Sequence, residues 1–150
     1  MIDSVDFDID RSSQAEIAAC LLACDVDFLP PLSSRVLIAD YAAKLCDCST
    51  RFEAWCDGEL VGLVAAYLNA ADRQTGFITS VCTQKPWINR GIASRLLGMC
   101  LAHADNAGFR AVELEVDGRN RSAVHLYLKT GFVALRSNEA ATRMRRERPD

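Results

Sequence analysis

Thr79-Ser80-Val81-Cys82-Thr83-Gln84-Lys85-Pro86-Trp87-Ile88-Asn89-Arg90-Gly91-Ile92-Ala93 is the stretch on which the chain turns. Phe77, Ile78, Thr79 and Val81 give Gly76–Thr83 the aromatic and β-branched character of a strand. Beyond the polar turn, Ile92, Leu96, Cys100 and Ala104 recur every fourth position, the stripe of one helix. The first N–H groups of a helix lack an intrahelical partner, and its dipole adds about half a positive charge there. The N–H groups of residues 89–94 therefore suit a pyrophosphate. Gly91 allows close backbone approach, Ala93 is nearly as small, and Asn89 tolerates a left-handed conformation. Arg90 is the one charge placed to meet phosphate. A plain strand–turn–helix would carry the same glycine and asparagine, so this stretch alone leaves both readings open.

A second stretch, Asn120-Arg-Ser-Ala-Val-His-Leu-Tyr-Leu-Lys-Thr-Gly-Phe132, reads as a three-turn helix stopped by Gly131 before a new strand. Together the two stretches resemble the GCN5-related N-acetyltransferase (GNAT) superfamily. Its loop pattern, Gln/Arg-x-x-Gly-x-Gly/Ala, is matched by Ile88-Asn89-Arg90-Gly91-Ile92-Ala93, with Ile88 replacing the usual Gln or Arg. Lys85 stands where a proline is common, with Pro86 one step later. The later pattern, Asn-x-x-Ala-x-x-Leu-Tyr-x-x-x-Gly-Phe, is matched at Asn120, Ala123, Leu126, Tyr127, Gly131 and Phe132. The resemblance implies an α/β (mixed α+β) fold, with about seven mostly antiparallel strands, one parallel pair that splays apart, and helices on both faces.

The chain has 150 residues, half of them hydrophobic and a quarter charged, which fits one globular domain over 1–150. A net charge of −3 and a pI near 5.4 argue against a nucleic-acid partner and favour neutral or cationic acceptors. No apolar run approaches the ~20 residues of a bilayer span, and the acidic opening Met1–Asp6 is a poor signal peptide. The expected location is the cytoplasm, with no membrane partner. Seven cysteines, an odd number, lack paired Cys-x-x-Cys or His spacing, so no metal site is expected and they read as small buried hydrophobes. Cys82 lacks a visible basic partner that would make it a nucleophile.

Val5–Asp10 alternates apolar and acidic residues as a half-exposed strand does. Ser13-Gln14-Ala15-Glu16 is a capping box opening a helix that carries Ile17, Leu21 and Cys24. After Pro30-Pro31, Ser33 or Ser34 is expected to cap a second helix, with Leu37, Tyr41 and Leu45 inward and Arg35 and Lys44 outward. Arg51–Cys56 and Leu60–Leu68 flank Asp57-Gly58, a hairpin signal. Asn69–Thr75 leads into Gly76–Thr83, and Arg110–Val116 follows through a helical crossover, hence parallel. Gly98 inside that crossover helix is tolerable if the helix packs closely on the sheet there. Phe132–Arg136 and Thr142–Arg146 complete the strands.

What the resemblance implies about chemistry can be placed residue by residue. Acetyl-CoA is the donor, its pantetheine arm lying along Val81, Cys82 and Thr83 in the gap between splayed strands. A main-chain N–H of that strand would face the developing oxyanion. Asn89, Arg90, Gly91, Ile92, Ala93 and Ser94 hold the diphosphate, and Asn120 and Tyr127 also face the cofactor. Tyr127 protonates the departing thiolate, since a phenol near pKa 10 can serve a thiol near 8.5. Glu115 matches the general base of the ribosomal-protein N-terminal acetyltransferase branch. It would take the proton of an ammonium whose pKa is near 10.4. Phe28, Arg35 and Tyr41 fall where the family builds its acceptor pocket.

Each residue also has a plainer role open to it. Glu115 reads equally as a solvated strand carboxylate, Tyr127, Phe28 and Tyr41 as core, Arg35 as a first-turn surface residue, and Asn120 as an N-cap. His103 and His125 read as surface, Trp87 as a cover for the loop, and Arg143, Arg145, Arg146 and Arg148 as a solvated edge. The function expected is acetyl transfer to a small primary amine, such as an amino sugar or amino acid, by a monomer or homodimer. Alternatives are acetylation of protein N-termini and a CoA-binding regulatory module without turnover. A Rossmann nucleotide site is disfavoured, because the loop lacks Gly-x-Gly and follows a meander.

Overall fold

The computed structural model describes residues 4–149; the acidic opening at residues 1–3 lies outside them. The elements run β1 (Asp6–Ile9), α1 (Gln14–Cys24), α2 (Ile38–Cys48), β2 (Thr50–Cys56), β3 (Glu59–Tyr67), β4 (Thr75–Thr83), α3 (Ile92–Asn106), β5 (Ala111–Val116), α4 (Arg121–Thr130), β6 (Val133–Ser137) and β7 (Thr142–Glu147). They form one seven-stranded sheet in the order β1-β2-β3-β4-β5-β7-β6. Every neighbouring pair is antiparallel except β4 and β5. Among the described residues no helix is long and apolar enough to cross a membrane.

Side-chain alternation along β2 and β3 builds two cores. Phe52, Ala54, Val61, Val64 and Ala66 face α3, joining Ile92, Leu96, Leu97, Cys100 and Ala104. Trp55, Leu60, Leu63 and Ala65 face α1 and α2, joining Ile17, Leu21, Ala42 and Leu45. The apolar run in β3 is thus buried on both faces, as a central strand must be. Asp57 and Gly58 both take positive φ (50° and 76°), the two-residue turn that matches strand twist. At Gly62 a Cβ would stand 2.9 Å from Ile92 Cγ2, so the missing side chain lets α3 lie against the sheet where the helix begins.

The expected capping box is formed: Ser13 Oγ accepts from Glu16 N–H at 3.2 Å, and Glu16 Oε1 accepts from Ser13 N–H at 2.9 Å. The start of α2 differs from expectation. Ser33 donates its N–H and hydroxyl to Asp25, each at 2.7 Å, and Ser34 Oγ donates to Pro31 O. With both hydroxyls spent in a 3₁₀ turn at Leu32–Ser34, neither caps a helix, and α2 begins at Ile38 with Leu37 at its N-cap. Leu37 is therefore exposed rather than inward, and Ile38, Ala42 and Leu45 form the buried face.

Three further expectations are corrected. Gly98 is exposed, with nothing within 4 Å of an added Cβ, so close packing on the sheet does not explain it. His103 is half-buried, edge-on to Phe52 at 5.5 Å between ring centroids. Arg143, Arg145 and Arg146 lie on an interior strand, while Arg148 beyond it is exposed as expected: Arg145 Nη1 is 2.7 Å from Glu113 Oε2, and Arg146 makes two hydrogen bonds to Asp105 at 2.7 and 3.0 Å.

Candidate active site

The site is built where β4 parts from β5. Their pairing runs from Thr75↔Ala111 to Ile78↔Leu114 and stops. β3 pairs Ala65 with Ser80 and Ala66 with Ile78, so Thr79 is an extra residue, a β-bulge in β4 at the point of parting. Tyr41 fixes that bulge from α2, its hydroxyl donating to Thr79 O at 3.0 Å and lying 2.7 Å from Thr79 Oγ1. Burial above all pushes the Tyr41 phenol up to about 12, so it stays a donor. Beyond the bulge β4 continues to Thr83 without β5, while Glu115 and Val116 pair only with β7.

Two chambers open at this parting, of about 610 and 350 Å³. Val81, Cys82, Thr83, Asn120, Ala123 and Tyr127 line both, so they meet at the gap between the strands. The larger takes Phe28, Arg35 and Tyr41 from the α1–α2 side and Glu115 and Asp117 from the end of β5. The smaller is walled by Trp87, Ile88, Asn89, Gly91, Ile92, Ala93 and Ser94.

The loop of the smaller chamber is anchored at its root. Gln84 donates its backbone N–H to Val61 O at 2.9 Å and its side-chain amide to Leu60 O at 2.8 Å. After a 3₁₀ turn at Lys85–Trp87, Asn89 and Gly91 take left-handed φ of 61° and 80°. Gly91 caps α3 without a side-chain hydrogen bond, so the first-turn amides of these chamber-lining residues have no capping side chain. Arg90 does not line this chamber; its guanidinium lies 5.1 Å from the centre of the Trp87 ring.

Tyr127 is the buried residue of α4, edge-on to Phe132 at 6.0 Å. Burial, with Cys82 adding to it, pushes its phenol well above the ordinary value, so it carries its proton at neutral pH. Asn120 caps α4, its side chain accepting from Ala123 N–H at 3.3 Å, while also lining both chambers. Both roles set out for it are compatible. Asp117 is held at about 2 by hydrogen bonds from Arg119, the nearer at 2.7 Å, and is a carboxylate at neutral pH.

The candidate residues thus converge, Arg90 excepted. Sequence reading missed Ser80, a buried hydroxyl with no hydrogen-bond partner that lines the larger chamber. It also missed Glu53, fully buried beneath α1, whose carboxylate accepts from the N–H groups of Arg11 and Ser12 at 2.9 and 3.0 Å, from the Ser12 hydroxyl and from Trp55 Nε1. The only signal was an acidic residue out of step with the apolar run in β2.

Residues 19–132 match the family described as acetyltransferase (GNAT) family. The chain belongs to that family. Over 72 residues it is 36% identical to GCN5-related N-acetyltransferase 4, chloroplastic, of Arabidopsis thaliana, covering 47% of this chain and 25% of that protein. Over 84 residues it is 33% identical to N-alpha-acetyltransferase MAK3 of the same plant, covering 55% of this chain and 44% of that protein. The matched segments therefore span less than half of either curated relative. The crystal structure of the PaiA N-acetyltransferase from Thermoplasma acidophilum in complex with coenzyme A superposes with a TM-score of 0.75 at 14% identity, over 95% of this chain and 99% of that one, and so shares the fold.

Proposed function

We propose that this chain, read as one domain, is an acetyl-CoA-dependent N-acetyltransferase that transfers acetyl directly to a primary amine of a small molecule such as an amino sugar or amino acid. The observation that carries the reading is the parting of β4 from β5 at a bulge, with Tyr127 shared by the two chambers that meet there. A structural neighbour with coenzyme A bound supports the choice of cofactor.

The residues present fit coenzyme A. The uncapped N-terminus of α3 offers main-chain amides to a diphosphate, and an added Cβ at Gly91 would meet nothing within 4 Å, so the concavity is open. Val81–Thr83 have no β5 partner, which leaves a strand edge for an extended amide-bearing arm. Bound acetyl-CoA supplies an acyl thioester. Glu115 takes a proton from the acceptor ammonium, directly or through water, and Tyr127 holds the proton required by a departing thiolate. Asp27, Glu115 and Asp117 outnumber Arg35 around the larger chamber, which favours a cationic acceptor.

The test is acetyl transfer from acetyl-CoA to a panel of small amines, with Tyr127→Phe beside wild type. Transfer lost in the variant at unchanged acetyl-CoA affinity supports the reading, whereas coenzyme A binding with no transfer to any amine would make the chain a binding module. The N-alpha-acetyltransferase among its relatives favours a second reading, acetylation of a protein N-terminus. A peptide N-terminus outcompeting every small amine would establish it.

A further inference from the structure

Acetyl transfer leaves unused a cluster of thiols at the larger chamber. Cys20 and Cys24 stand one turn apart on the buried face of α1, and Cys82 meets them from β4. The three sulfurs all lie within 4.8 Å of one another. Cys24 and Cys82 line the chamber, so the cluster can be reached from it. We propose that Cys20, Cys24 and Cys82 form a binding site for a soft, thiophilic d¹⁰ divalent cation, zinc being the physiological candidate.

Three mutually adjacent sulfurs match the ligand face of a zinc or cadmium site better than a disulfide, which would use two and leave the third. With metal–sulfur bonds of about 2.3 Å the sulfurs would stand roughly 4 Å apart, a contraction of at most about 1 Å. No carboxylate or imidazole belongs to the cluster, which selects against hard cations. Among the described residues no other set of three histidine, cysteine or acidic side chains converges in this way. Cys24 is the last residue of α1, whose final turn carries no basic residue, and the helix dipole places partial negative charge at that end. The field there favours a cation.

Binding breaks three S–H bonds, forms three metal–sulfur bonds and releases three protons to solvent, with no change of oxidation state. A fourth coordination position remains for water from the chamber. Sequence spacing hid the site because the third sulfur comes from another element.

The experiment titrates the reduced, metal-free chain with cadmium chloride, following thiolate-to-cadmium ultraviolet absorption, and measures zinc coordination in wild type by X-ray absorption. The expected result is a band saturating at one equivalent, three sulfur neighbours around zinc, and affinity that rises with pH. Cys20→Ala, Cys24→Ala and Cys82→Ala should each lose at least about tenfold in affinity. The Cys46→Ala/Cys48→Ala double variant should keep it. Absence of saturable binding, fewer than three sulfur neighbours, or loss of the band in the Cys46/Cys48 variant overturns the site. Should a variant of the trio fail to fold, zinc coordination in wild type decides alone.

Discussion

Tyr127 and Glu115 reach the larger chamber from different elements, and their environments differ. Tyr127 is 6% exposed and its phenol is pushed up by burial, whereas Glu115 is exposed at the end of β5. Tyr127→Phe should lower kcat about 10²-fold, with unfolding and acetyl-CoA affinity near wild type, read by steady-state kinetics and denaturant titration. Glu115→Gln should lower kcat/KM by about tenfold or more at neutral pH. Its residual rate should climb toward the amine's own pKa near 10.4, whereas wild type levels off earlier. A pH profile parallel to wild type would remove Glu115 as the base. Tyr127 could be named from sequence because it sits within the Asn120–Phe132 pattern, and Glu115 because its place resembles one branch of the family. Ser80, Glu53 and the cysteine trio could not, since each depends on which face of a strand meets which helix.

At the scale of elements, the bulge in β4 and the hydrogen bonds that hold it are the main device. Tyr41 ties α2 to Thr79, and its folded-state pKa of about 12 lies above the unfolded value near 10. Folding therefore retains a proton that the unfolded chain gives up. The contribution is full below pH 10 and lost as pH climbs through 12, on the order of 3 kcal/mol. Tyr41→Phe should show a flatter decline in unfolding free energy over that window. In α3, Gly98→Ala should stabilise by about 0.5–1 kcal/mol, because the position is exposed and open; thermal denaturation would read this as a rise of a few degrees. Helices, strands and the Asp57-Gly58 turn were visible in periodicity and turn chemistry. The start of α2 was not, because Ser33 spends its hydroxyl on Asp25, eight residues away and outside any helical pattern. The bulge was equally hidden, since Thr79 fits a regular strand in sequence.

For the whole molecule, a sheet that is zipped at one end and open at the other places a helix N-terminus, a bare strand edge and a tyrosine around one gap. The order of elements foretold the parallel pair, because a helical crossover between neighbouring strands demands it. The pairing limit at Ile78↔Leu114 was expected from family resemblance and not from the residues themselves. Amide chemical shifts of ¹⁵N-labelled protein titrated with coenzyme A test the gap most directly. Val81, Cys82 and Thr83 should move in step with Gly91, Ile92, Ala93 and Ser94, and all should become slower to exchange with solvent. Saturable binding that leaves Val81–Thr83 unmoved, or no binding at all, would contradict it.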